Sequence, residues 1–176
     1  QSSAASDVYK RQVCAPLFGQ KGWKAHLVCH CLLIETDRGL VLIDTGLGLQ
    51  DYLNMEKRLG TLVKKVGHIE SNLKLSAIQQ IQQLGFSQND VKHIFVTHLD
   101  FDHAGGISDF PNATVHVLAA EFNATQSLSI KNKLRYKTYQ FKQHRYWSFA
   151  EHNDGEEWFN LQKVRGLPLF QDEILM

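Results

Sequence analysis

Four side chains that bind divalent cations fall within six consecutive positions of this chain: His98, Asp100, Asp102 and His103, inside Thr97-His98-Leu99-Asp100-Phe101-Asp102-His103-Ala104-Gly105-Gly106. Such a cluster needs a rigid element to deliver it, and the preceding Val91-Lys92-His93-Ile94-Phe95-Val96 reads as a short buried strand. Along extended backbone every second side chain points to the same side. His98, Asp100 and Asp102 are therefore expected together, with a bend after Asp102 bringing His103 round to them. Imidazole suits zinc or iron and carboxylate suits harder divalent ions, so two of each can serve one or two such cations. The plainer alternative is a solvated polar turn in which Thr97 or Asp102 caps a helix. The strand before the cluster and the Gly105-Gly106 turn after it favour the metal reading.

Strand and helix patterns alternate around this loop. His26 to Thr36 is rich in β-compatible apolar residues, Asp37-Arg38-Gly39 makes a turn, and Leu40-Val41-Leu42-Ile43 returns as the second arm of a hairpin ending at Asp44-Thr45-Gly46. Ile78, Ile81 and Leu84 lie near helical spacing across Ser76 to Leu84, and Gly85 is placed to stop that helix. Gly105 and Gly106 open a short helical turn, Ala113 to Leu118 is the next strand, and Ala119 to Gln126 is predicted to be helical. The mixed, polar stretch from Leu49 to Asn72 reads as a lid or irregular connection. This order predicts an α/β layer architecture with its chemistry at strand ends.

With 176 residues, 43% of them hydrophobic and 21% charged, the chain can bury the core of one ordinary domain. Its formal charge of +1 supplies no global attraction to nucleic acid or to an anionic membrane. No apolar stretch approaches the roughly 20 residues that span a bilayer. Cys29 and Cys31 point the same way on one strand, where they do not easily join in a disulfide. With Cys14 they are read as buried or half-buried thiols in a reducing, cytoplasmic setting, without a metal or redox role. Gln1 to Gln12 lacks apolar periodicity, and Asp7-Val8-Tyr9-Lys10-Arg11-Gln12 is similar to the translation of a transposon mosaic-end adapter used in sequencing libraries. Residues 1–12 are thus expected to be an adapter-derived or disordered leader, with the folded domain at residues 13–176. Phe170 to Met176 reads as a strand just begun.

The ligand-rich loop resembles the hallmark of the metallo-β-lactamase superfamily, a His-x-His-x-Asp-His segment followed by a small-Gly-Gly turn. It matches at His98, Asp102 and His103 and departs at Asp100, where the family commonly has His. Asp44-Thr45-Gly46 is similar to the family's upstream Asp motif, although a turn-forming Asp explains it without function. The resemblance, running from about Leu27 to Leu118, implies an αββα sandwich of which this chain supplies the N-terminal half to two-thirds. It implies that His98 and Asp100 bind a first metal and Asp102 and His103 a second, with zinc expected and iron or manganese as alternatives. It also implies that Asp44 supports the site from behind these ligands, and that a metal-activated hydroxide is the nucleophile, with Asp102 orienting it and handling its proton as the catalytic residue. In the family, later His and Asp residues complete both metal spheres, one His lying in a Gly-His pair. No Gly-His pair follows Gly106, so residues 1–176 alone are expected to turn over little or nothing.

Within the superfamily the lactonase-like and general hydrolase branches look most similar, which implies a small ester or lactone as substrate. The alternatives are a phosphodiesterase or nuclease of the same superfamily, and a non-catalytic or iron-binding redox member. Lys131 to Trp147 interleaves basic residues with Tyr136, Tyr139, Phe141, Tyr146 and Trp147. That mixture suits stacking on nucleic-acid bases, or an apolar wall over the site with its basic groups solvated. The near-neutral charge favours the wall, and a small molecule rather than nucleic acid or membrane as partner. His26, His30, His68, His93, His116, His144 and His152 read as ordinary surface or half-buried residues; His144 and His152 lack the surroundings of a substitute ligand.

Overall fold

The computed structural model describes residues 4–12, 25–67, 69–127, 129–151, 156–158 and 161–164. In chain order the strands and α-helices are β1 (Ala4–Gln12), β2 (Ala25–Thr36), β3 (Gly39–Ile43), α1 (Leu49–Leu53), α2 (Met55–Leu59), α3 (Thr61–Gly67), α4 (Ala77–Gln83), β4 (Val91–Phe95), β5 (Thr114–Leu118), α5 (Ala119–Ala124), α6 (Ile130–Arg135), β6 (Trp147–Ala150), β7 (Glu156–Trp158) and β8 (Leu161–Val164). The first six strands form one sheet in sequence order, and β7 and β8 form a two-stranded ribbon. Pairing is antiparallel from β1 to β3 and parallel from β3 to β6. A parallel pair needs a crossover. Helices α1 to α4 lie in the crossover between β3 and β4, and α5 and α6 lie between β5 and β6.

The hairpin follows the predicted register, with Thr36 opposite Gly39 and Leu33 opposite Leu42. Gly39 adopts a φ of 120° that a side chain would resist. Across the sheet Leu33, Leu42, Ile94 and Val115 are successive cross-strand neighbours, and Ile78 and Ile81 of α4 belong to the same buried cluster. Complete burial of a side chain such as Ile94 contributes about 1.5–3 kcal/mol each. Helix α4 begins after Ser76 and is capped at Leu84, with Gly85 at a φ of 91°, as its sequence predicts.

One expectation needs correction. Leu49 to Asn72 is not an irregular lid. Tyr52, Met55 and Leu59, spaced three and four apart, are buried with Leu47, Ile69 and Cys29 in a second apolar cluster. Their helical stripe was too short and too interrupted by charge to stand out. Residues 4–12, within the segment expected to be an adapter-derived or disordered leader, run beside β2, from Ala4 opposite Leu33 to Gln12 opposite Ala25. A sheet edge offers backbone donors and acceptors to any extended segment, so pairing there makes no demand on side-chain periodicity. The readings of Cys14, Phe170 to Met176, His68, His152 and the side chain of His26 lie outside the described residues. Among the described residues no helix is long and apolar enough to cross a membrane.

Candidate metal centre

Strands β3 and β4 run parallel and end side by side, so Asp44 and Thr97 meet at their carboxyl ends, where open α/β sheets hold ligands. The Asp44 backbone N–H donates to the Phe95 carbonyl at 2.8 Å, and the Thr45 N–H to the His103 carbonyl at 2.9 Å. Asp44 takes a φ of 56°, a left-handed conformation that Asp and Asn tolerate better than other side chains. Its carboxylate accepts from the Thr97 N–H and the Thr97 hydroxyl, both at 2.8 Å, and lies 2.9 Å from His103 Nδ1. An ionised carboxylate only accepts, so Nδ1 carries a proton, and in the neutral ring Nε2 keeps its lone pair. Histidines that bind metals are oriented in this way.

The loop bends earlier than extended backbone would allow. His103 and Ala104 donate their N–H groups to the Asp100 carbonyl at 2.9 and 3.0 Å, making a turn through Phe101–His103 where the strand rule had Asp102 still extended. The four side chains meet in pairs along the loop. The His98 and His103 rings lie 4.0 Å apart, His98 Nε2 is 3.9 Å from Asp100 Oδ2, and His103 Nε2 is 3.7 Å from Asp102 Oδ2. All four are half-buried, while Leu99 and Ala104 between and beside them are fully buried and peg the loop to the core.

The glycines following the loop are explained by close approach. A Cβ on Gly105 would lie 2.6 Å from Asp51 Oδ2 and 2.8 Å from the Gly46 carbonyl oxygen, and one on Gly106 would lie 2.9 Å from the Thr45 carbonyl oxygen. That bare backbone lets the Gly106 N–H donate to both the Gly46 carbonyl and Thr45 Oγ1.

Three contributors escaped the sequence reading. Cys29 on β2 places Sγ 3.4 Å from Asp102 Oδ2, and Cys29, Asp102 and His103 each offer a donor atom within 4.8 Å of the others. Its burial was expected; its proximity to a residue 73 positions away has no local signal. Arg135, at the end of α6, brackets the Asp100 carboxylate with Nε at 3.0 and 3.3 Å and Nη2 at 2.8 Å. Asp51 is wholly buried and accepts from the Gly48 N–H, Arg58 Nε and Gln140 Nε2, and Gln140 also donates to the Phe101 carbonyl. Burial pushes the Asp51 carboxyl up, against the opposing pull of Arg58. Tyr52 packs in the same cluster as Cys29, and its buried hydroxyl meets no hydrogen-bond partner among the described residues.

The Lys131 to Trp147 stretch packs against the loop but is only partly a wall. Tyr136 and Phe141 belong to the main core, Tyr139 and Tyr146 are exposed, and Lys131, Lys133, Lys142 and Arg145 are solvated. His144 is engaged elsewhere, with Nε2 2.9 Å from the Ala113 carbonyl. His93 and His116 pair with each other at 3.1 Å, and burial first, then His93, pulls His116 down to about 4.

The imidazole of His103, the carboxylate of Asp102 and the thiol of Cys29, with His98 and Asp100 beside them, form a donor set suited to zinc or another divalent transition ion. Residues 26–166 match the family model described as Metallo-beta-lactamase superfamily. A probable metallo-hydrolase of Mycobacterium tuberculosis is 46% identical over 149 residues, covering 80% of this chain and 45% of that protein. An N-acyl homoserine lactonase of a Bacillus species is 32% identical over 96 residues, covering 54% of this chain and 38% of the relative. The chain therefore spans less than half the length of these relatives. A solved N-acyl homoserine lactone hydrolase, with the product N-hexanoyl-L-homoserine bound at its catalytic metal center, shares the fold with a TM-score of 0.66 at 22% identity, covering 89% of this chain and 60% of that one. With the hallmark loop, the upstream aspartate and the sheet topology in agreement with that match, the chain belongs to the metallo-β-lactamase superfamily.

Proposed function

We propose that this protein is a metal-dependent hydrolase of a small ester or lactone, working at the carboxyl ends of β3 and β4. The observation that carries the reading is the Asp44–His103 contact of 2.9 Å, because it prepares Nε2 as a lone-pair donor 3.7 Å from Asp102. His98 and Asp100 are the residues to hold one cation, and Asp102 and His103 the residues to hold a second, with zinc the ion this donor mixture suits best. A cation bound there supplies Lewis acidity toward a substrate carbonyl and a nucleophile at neutral pH.

The chain's own groups have distinct tasks. Asp102, half-buried between His103 and Cys29, is the group to accept the proton of the attacking water and pass it to the leaving oxygen. Asp44 fixes the His103 tautomer from behind, and Arg135 holds the Asp100 carboxylate in place. The likeness to a lactonase sequence supports an ester or lactone over a phosphodiester, as do the dispersed, solvated basic residues after position 130.

The test is turnover by the zinc-loaded complete protein on an N-acyl homoserine lactone, an aryl acetate and an aryl phosphodiester. Lactone or ester turnover is expected, with Asp102→Asn lowering kcat by about 10²–10⁴-fold while circular dichroism stays unchanged. Turnover confined to the phosphodiester would transfer the site to phosphoryl chemistry. A zinc-loaded protein inert toward all three would end the hydrolase reading.

A further inference from the structure

Cys29 lies outside the loop that defines the family, on β2, yet its side chain reaches into the loop. Residues of β2 alternate between core and exposed sides, with Cys29, Cys31 and Leu33 buried and His30 and Leu32 exposed. Cys31 lines an apolar cavity with Leu33, Leu42, Ala77 and Ile81. Cys29, one pleat repeat earlier, is 6% exposed and instead meets Asp102 Oδ2 at 3.4 Å.

That separation is informative beyond a hydrogen bond. Four-coordinate zinc holds sulfur at about 2.3 Å and nitrogen or oxygen at about 2.0–2.1 Å, which puts tetrahedrally arranged donors about 3.4–3.6 Å apart. Cys29 Sγ to Asp102 Oδ2 is 3.4 Å, and Asp102 Oδ2 to His103 Nε2 is 3.7 Å. The first edge has the tetrahedral spacing, the second is slightly longer, and one donor atom from each of the three residues lies within 4.8 Å of the others, on two elements held by the sheet and by Leu99 and Ala104.

We propose that Cys29 is a protein ligand, through Sγ, to the cation that Asp102 and His103 hold, and that it biases that position toward thiophilic ions such as zinc over manganese or magnesium. The inference rests on the metal-binding reading of the loop. On binding, the S–H bond breaks, a sulfur–metal bond forms and the proton passes to solvent water. With no cation bound, the same thiol donates its hydrogen to Asp102, which keeps the two groups in register.

The experiment is cobalt(II) titration of the 176-residue chain, followed by absorbance and by equilibrium dialysis. The wild type is expected to show a near-ultraviolet thiolate-to-cobalt charge-transfer band. A Cys14→Ser, Cys31→Ser double variant is expected to keep that band. Cys29→Ser is expected to lose the band and to bind cobalt about 10-fold or more weakly. Cadmium NMR on the unmutated chain gives an independent readout, since a sulfur ligand moves the cadmium resonance far from the range of oxygen and nitrogen ligands. Cobalt bound without the thiolate band, or a cadmium resonance without sulfur character, would overturn the role of Cys29 and leave the metal reading of the loop intact. A chain that takes up neither ion would overturn both.

Discussion

Replacing Asp44 separates its two tasks, satisfying the Thr97 backbone and orienting His103. Asparagine is nearly the same shape and tolerates the φ of 56°, so the loop should keep its course. Its oxygen can still accept from the Thr97 N–H, but its NH₂ group then faces Thr97 Oγ1 and His103 Nδ1. An amide donating to Nδ1 forces the imidazole proton onto Nε2, the atom meant for the cation. Asp44→Asn is therefore expected to cost about 1–2 kcal/mol of stability, the difference between charge-assisted and neutral hydrogen bonds. It should weaken zinc binding about 10–100-fold. Asp44→Ala removes the acceptor altogether, at about 1–3 kcal/mol, and adds about 1–2 kcal/mol for a left-handed alanine. Urea unfolding of the metal-free chain and zinc competition against a chromophoric chelator measure the two effects separately. If Asp44→Asn binds zinc as tightly as the wild type in a chain of unchanged fold, His103 is not oriented by Asp44 and the reasoning is refuted.

Gly105→Ala should destabilise by about 1–3 kcal/mol in urea, because the new Cβ meets the Gly46 carbonyl oxygen at 2.8 Å; an unchanged midpoint would mean that β3 and the loop are not in such close contact. Arg135→Ala breaks a partly exposed pair and should cost under about 1 kcal/mol of stability, yet lower zinc affinity about 10-fold by releasing the Asp100 carboxylate. Tighter zinc binding by that variant would show that the guanidinium competes with the cation. Asp109 accepts from the Leu49 N–H, and burial, reinforced by Asp51, raises its carboxyl from 3.8 to about 6. The folded state then holds this proton more tightly than the unfolded chain, so the group's contribution to stability is full below pH 3.8 and declines as pH rises through 6. Asp109→Asn should remove that decline, flattening the difference in unfolding free energy between pH 4 and 7 by on the order of 1–3 kcal/mol; parallel pH curves would contradict it.

The readable parts of the fold share one property: their signal is local. The β2–β3 hairpin announces itself through a turn between two apolar runs, and α4 through Ile78, Ile81 and a terminal glycine. The cluster at 98–103 is dense enough to stand out against any background. What stayed hidden depends on distant partners. Tyr52, Met55 and Leu59 look like sparse apolar residues in a polar stretch until the second cluster forms around them. Arg135 looks like one of several basic residues until α6 brings it to Asp100, and Gln140 has no signal for a role beneath the loop. The early bend at Phe101–His103 was missed for another reason. Alternation along a strand holds only while the backbone is extended, and the Asp100 carbonyl ends that state by accepting two N–H groups.

The most direct measurement is the zinc retained by the purified chain after dialysis, compared with His98→Ala, Asp102→Asn and His103→Ala chains whose circular dichroism matches the wild type. The wild type is expected to retain zinc and each variant to lose a large part of it, His103→Ala the most. A wild type holding no more zinc than the three variants would contradict the claim that these side chains meet around a cation.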